Sequence, residues 1–94
     1  MSNTNGFGGF QMDAGIIEID LHGMNCFQAK TCIDRQLKKA NGSVYYIRLI
    51  HGYHCGTDLK NMIEYEYSYG RHPKVIRVKP GSNPGITDLV LREL

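Results

Sequence analysis

Ile16-Ile17-Glu18-Ile19-Asp20-Leu21-His22-Gly23 and its later echo, Val44-Tyr45-Tyr46-Ile47-Arg48-Leu49-Ile50-His51-Gly52, decide how this chain folds. Each is a short β-branched run that ends in His-Gly, which predicts a strand stopped by a glycine. Between them Asn25 is a suitable N-cap with Gln28 three residues on. Ala29, Ile33, Leu37 and Ala40 then recur at helical spacing until Asn41-Gly42, with Lys38 and Lys39 in the last turn where the helix dipole favours cations. A strand-helix-strand unit of this length makes its two strands parallel, so both His-Gly pairs emerge on one edge of the sheet.

Working outward, Thr57 or Asp58 is a cap for a second helix that carries Leu59, Met62, Ile63 and Tyr67 on one stripe and stops at Gly70. Val75 to Lys79 predicts a third strand and Ile86 to Arg92 a fourth, joined by the Pro- and Gly-rich Pro80 to Gly85. The order is βαβαββ. Ile17, Ile19, Tyr45, Ile47, Leu49, Ile76, Val78, Leu89 and Leu91 alternate onto one strand face, while Glu18, Asp20, Arg48, Arg77, Lys79, Asp88 and Arg92 fall on the other. A sheet buried on both faces would show continuous apolar runs, so the expectation is a two-layer α/β sandwich with a four-stranded mixed sheet and two helices on one face. Residues 1–15, rich in Gly and Asn, are expected to be a flexible N-terminal leader, and residues 16–94 the folded domain.

Ninety-four residues suit one domain, and 41% apolar with 21% charged residues excludes a disordered or fibrous chain. Cys26, Cys32 and Cys55 are odd in number and lack CxxC spacing, which argues against a disulfide framework or a zinc ribbon and leaves no metal site to expect. The chain shows no apolar run of roughly 20 residues and no secretory signal pattern, so no membrane role is expected and the cytoplasm is the expected compartment. A net charge of +2 says little about polyanion binding; the distribution of charge must carry that argument.

That distribution favours the edge holding His22 and His51. Adjacent strands lie about 4.8 Å apart, close enough for two imidazoles to flank one phosphate, and the carboxyl ends of parallel strands are where open α/β sheets bind ligands. Gly52-Tyr53-His54-Cys55-Gly56-Thr57 leads into a helix N-terminus with free N–H groups, a phosphate site in which Gly23, Gly52 and Gly56 allow close backbone approach. Lys60 is a counter-charge one turn into that helix. Arg48, Arg71 and Lys74 are candidates to follow a nucleic-acid backbone, and Tyr46 and Tyr53 to stack on bases.

Ile19-Asp20-Leu21-His22-Gly23-Met24 resembles the LDLHG signature of the Smr (small MutS-related) domain family, and Leu49-Ile50-His51-Gly52 with Gly56-Thr57 and Leu59-Lys60 resembles its second block. His72-Pro73-Lys74-Val75 and Gly85-Ile86-Thr87 are similar to the family's later motifs, so the match spans roughly residues 16 to 94. Tyr53 and His54 depart from the usual Lys and Gly. The resemblance implies a fold like that of the C-terminal domain of translation initiation factor 3 and endonuclease action on DNA or RNA, in some members linked to stalled ribosomes. It also implies Asp20 and His22 in cleavage, and His51, Gly52 and Gly56 in substrate contact.

The expected mechanism has His22 as general base oriented by Asp20, with His51 as general acid or phosphate holder, because histidine exchanges protons near neutral pH. On RNA the 2′-hydroxyl is the nucleophile. On DNA an activated water and a divalent ion, Mg or Mn, would be needed, with Asp20 and Glu18 the nearby carboxylates. The rival readings are a module that grips branched or structured nucleic acid without cutting, and a domain that docks on the ribosome or another protein through the open sheet face and Phe7 and Phe10.

Overall fold

The computed structural model describes residues 10–13, 15–52, 56–68 and 70–93. Strands β1 (Phe10–Asp13), β2 (Ile16–Asp20), β3 (Tyr46–Ile50), β4 (Arg77–Pro80) and β5 (Ile86–Val90) are joined with helices α1 (Cys26–Lys39) and α2 (Gly56–Tyr67) in the order ββαβαββ. The sheet order is β1-β2-β3-β5-β4. β2 and β3 are parallel, and β5 runs antiparallel to both β3 and β4. The expected βαβαββ order and its four mixed strands are therefore present.

The sheet has one strand more than expected. Phe10–Asp13, within the stretch read as a flexible leader, pairs antiparallel with β2, Phe10 opposite Ile19 and Asp13 opposite Ile16. Four residues are too short to show a periodic signal, and the strand exists because backbone groups on the free edge of β2 need partners. Its polarity places Phe10 at the carboxyl end of β2. Phe7 and the rest of 1–9 lie outside the described residues.

α1 forms where its caps require. The Asn25 side chain accepts from the Gln28 N–H at 2.8 Å, and the Gln28 side chain accepts from the Asn25 N–H at 3.0 Å, a reciprocal capping box. At the other end Lys74 Nζ donates to the carbonyls of Leu37 (2.6 Å), Ala40 (3.1 Å) and Lys38 (3.4 Å), placing an ammonium on the negative end of the helix dipole. α1 buries Ala29, Ile33 and Leu37, and α2 buries Leu59, Ile63 and Tyr67, against Ile17, Ile19, Leu21, Ile47, Leu49 and Leu89 of the sheet. The two helices are tied by Tyr67, whose buried ring carries a hydroxyl that donates to Asp34 at 2.5 Å, while Lys30 pairs with the same carboxylate.

Among the described residues no helix covers the opposite sheet face, and its charges neutralise one another in a row. Registers set Glu18 beside Arg48, Arg48 beside Asp88 and Asp88 beside Lys79, so the signs alternate across four strands. Arg48 lies 3.8 Å from Glu18 and 3.4 Å from Asp88. The latter contact is within ion-pair distance but is not aligned as a hydrogen bond, which leaves Arg48 Nε and Asp88 Oδ1 buried without one. Lys79 lies over the Tyr46 ring at 4.8 Å.

Candidate functional site

The two His-Gly turns do emerge side by side, and the register decides what each imidazole can do. Ile19 is opposite Leu49 and Asp20 opposite Ile50, and the Leu21 N–H donates to the Ile50 carbonyl at 2.8 Å. Carried one step further, the alternation that turns Ile17, Ile19 and Leu21 inward also turns Ile47, Leu49 and His51 inward. His22 belongs to the other parity. It lies next to Gly52, where an added Cβ would be 3.7 Å from the His22 Cβ.

His22 is therefore exposed, with 75% of its side chain accessible, and its Nδ1 is 3.0 Å from Asp20 Oδ1. The Asp20 carboxylate only accepts, so Nδ1–H donates, and in the neutral ring the lone pair is on Nε2. The His22 backbone N–H also donates to Asp20 Oδ1, at 3.1 Å, which fixes the carboxylate as well as the ring. Gly23 and Gly52 both have positive φ, 83° and 84°, a conformation that other L-residues adopt only at a cost of about 1–2 kcal/mol.

His51 is buried, only 3% exposed, and both of its ring nitrogens are engaged. Nδ1 donates to the Gly52 carbonyl at 3.1 Å, and Nε2 accepts from the Thr87 hydroxyl at 2.8 Å. The backbone N–H groups of His51 and Gly52 both donate to the Gly85 carbonyl, at 2.9 and 3.1 Å. In this arrangement His51 locks the second turn to β5 and presents no free nitrogen at the edge. Thr87 holds the His51 ring; the sequence reading quoted it within Gly85-Ile86-Thr87 but gave it no role in the site. Its signal was parity, since Thr87 is opposite Leu49 on the inward face.

The remaining candidates are scattered. Lys60 is exposed on α2 near the same edge and pairs with Glu64 at 3.6 Å. Arg71 follows the far end of α2, over the Tyr65 ring at 4.3 Å, and Lys74 is engaged by the end of α1, so the structure separates both from His22. Arg48 lies in the charge row of the open face. Tyr53 and His54 lie outside the described residues; Gly56 and Thr57 begin α2. A cavity of about 320 Å³, lined by Val44, Lys74, Ile76 and Leu91 among others, lies at the opposite sheet edge.

Among the described residues no three His, Cys, Asp or Glu side chains are placed to hold a metal ion. Asp20 is engaged by His22 and Glu18 by Arg48, so the donor set suggested for a divalent ion does not fit one. No described helix is long and apolar enough to cross a membrane.

A two-layer α/β sandwich with an exposed Asp-His pair and two glycine turns at the carboxyl ends of its parallel strands defines the class. No protein-family model matches the chain, and no curated protein sequence matches it either. Among solved structures it is similar to the Smr domain of Thermus thermophilus MutS2, with a TM-score of 0.69 and 26% sequence identity over 81% of this chain and 98% of that one. With the DLHG and HG turns in their places, the chain carries an Smr-like domain.

Proposed function

We propose that this domain binds nucleic acid at the edge formed by Asp20, His22, Gly23 and Gly52, and cleaves RNA there as a cytoplasmic endonuclease. The observation that carries the reading is the Asp20-His22 pair, a solvent-facing imidazole held by a carboxylate 3.0 Å away with Nε2 free. Nε2 takes the proton of a 2′-hydroxyl, whose oxygen attacks the adjacent phosphorus. The 5′-oxygen leaves and takes a proton from water, giving a 2′,3′-cyclic phosphate and a 5′-hydroxyl, and the hydroxide so formed takes the proton from Nε2, which returns His22 to its neutral form. The developing imidazolium is stabilised by Asp20. His51 acts as a positioning residue that holds Gly52 beside the reacting phosphate, and Lys60 supplies charge.

One observation favours a second reading, a module that grips nucleic acid without cutting: His51 is buried with both nitrogens engaged, so no second imidazole stands ready to protonate the leaving group. Incubating the protein with labelled RNA, single-stranded DNA and supercoiled plasmid, each with Mg²⁺, Mn²⁺ or EDTA, separates the two. The nuclease reading expects RNA cleavage that survives EDTA. His22→Ala should reduce it by roughly 10²- to 10⁴-fold, with affinity nearly unchanged. A 2′-deoxy substitution at the cleaved position should abolish it. Tight binding with no cleavage of any substrate would leave the binding module.

A further inference from the structure

Phe27 is the most exposed large apolar side chain of the described residues, at 80%. It is the second residue of α1, two positions before the buried Ala29, so at about 100° per residue it points away from the core. The helix begins at the carboxyl end of β2, which puts the ring on the edge that carries His22. The two are five positions apart, at most about 17 Å even if fully extended. The Met24 N–H to Leu21 carbonyl turn, at 3.0 Å, shortens that path. The other exposed apolar groups differ: Tyr65 lies under Arg71, and Ile76 lines the cavity at the opposite edge. Among the described residues no cation or aromatic ring covers Phe27.

We infer that Phe27 is a stacking platform for an unpaired base next to the scissile phosphate, which makes single-stranded RNA the substrate class of the Asp20-His22 edge. The inference rests on the nucleic-acid reading above. A base offers its face to an aromatic ring only when it is free of its own stack, and such contacts tolerate any sequence because every base has a π-face. A duplex keeps its bases inside and gives Phe27 nothing to stack on. The self-neutralised open face points the same way: with Arg48 held between two carboxylates, backbone charge alone has little to grip there, and an aromatic contact supplies what charge does not.

The chain has no tryptophan, so Phe27→Trp introduces a single reporter at this position. A single-stranded oligoribonucleotide of mixed sequence should quench it over the range in which labelled RNA binds, and the same sequence as a duplex should not. Phe27→Ala should raise Kd for the single strand by roughly tenfold or more and leave the duplex unchanged. Phe27→Tyr should keep the affinity, and Phe27→Leu, apolar but without a π-face, should behave like the Ala variant. Circular dichroism confirms that each variant folds. Single-strand binding by the wild type that Phe27→Ala does not weaken, or that Phe27→Leu fully retains, would overturn the stacking role and leave the edge as a binding site. If the wild type binds no RNA at all, the underlying reading falls and the inference falls with it.

Discussion

Two histidines that look alike in the sequence turn out to have opposite surroundings, because residue parity along a strand, not distance from its end, sets the direction of a side chain. Both follow an apolar run and precede a glycine, and this made them equal candidates. Yet His22 comes after the inward Leu21, whereas His51 is itself the next inward position after Leu49. The alternation was legible; the register that joins Ile19 to Leu49 was not, since it depends on a pairing between segments far apart in sequence. Titration offers a test of another residue, Tyr67. Burial, and then its hydrogen bond to Asp34, raise its pKa above the ordinary 10.0. The unfolded chain therefore ionises this phenol first, so stability is fully present below about pH 10 and is lost as pH rises beyond it. Tyr67→Phe should show a shallower alkaline limb in denaturant melts from pH 8 to 11, and near pH 7 should be about 1 kcal/mol less stable for want of the hydrogen bond. An alkaline limb identical to wild type would mean that Tyr67 does not carry the effect.

Elements were legible in proportion to their length and punctuation. α1 carries an apolar stripe and a capping box within its own sequence, and it spans Cys26–Lys39 much as the pattern required. β1 has four residues and no such signal, and β4 begins at Arg77 rather than Val75 because edge pairing to β5 starts there. Lys74 shows how an element borrows its end from a distant segment. By residue type alone it is a surface cation fit for a phosphate; in place, it closes α1 from thirty-seven residues beyond Leu37. Lys74→Met should therefore cost about 1.5–2 kcal/mol in chemical denaturation, the range of charge-assisted hydrogen bonds at a helix terminus. It should leave RNA affinity within about twofold at a fixed salt concentration, a threshold of our choosing that lies well below the effect of losing a phosphate contact. A variant as stable as wild type but clearly weaker in binding would return Lys74 to the interface.

At the scale of the whole molecule, net charge is +2, and among the described residues four of the eleven Lys and Arg are paired with carboxylates: Arg48 with Glu18 and Asp88, Lys30 with Asp34, Lys60 with Glu64 and Arg77 with Glu93. The row on the open face is self-neutralised, and Lys60 is the candidate cation near the Asp20-His22 edge, so binding of a single strand at that edge should have a shallow salt dependence. With two or three phosphates neutralised, log K against log salt should have a slope of about −1.4 to −2.1. Filter binding across potassium chloride concentrations measures it, and a slope much steeper than −3 would mean that the strand also follows cations away from this edge, such as Arg71. The fold class could be reached from the order and spacing of the strands alone, whereas this charge matching needed the registers. The polarity of β1 and β5 has a practical consequence. Phe10 lies at the end of the sheet where His22 is, while Val90, opposite Tyr46, lies at the other. A molecule anchored to a solid support ahead of Phe10 would have its Asp20-His22 edge turned toward the support, and one anchored beyond Val90 would offer that edge to the surrounding liquid.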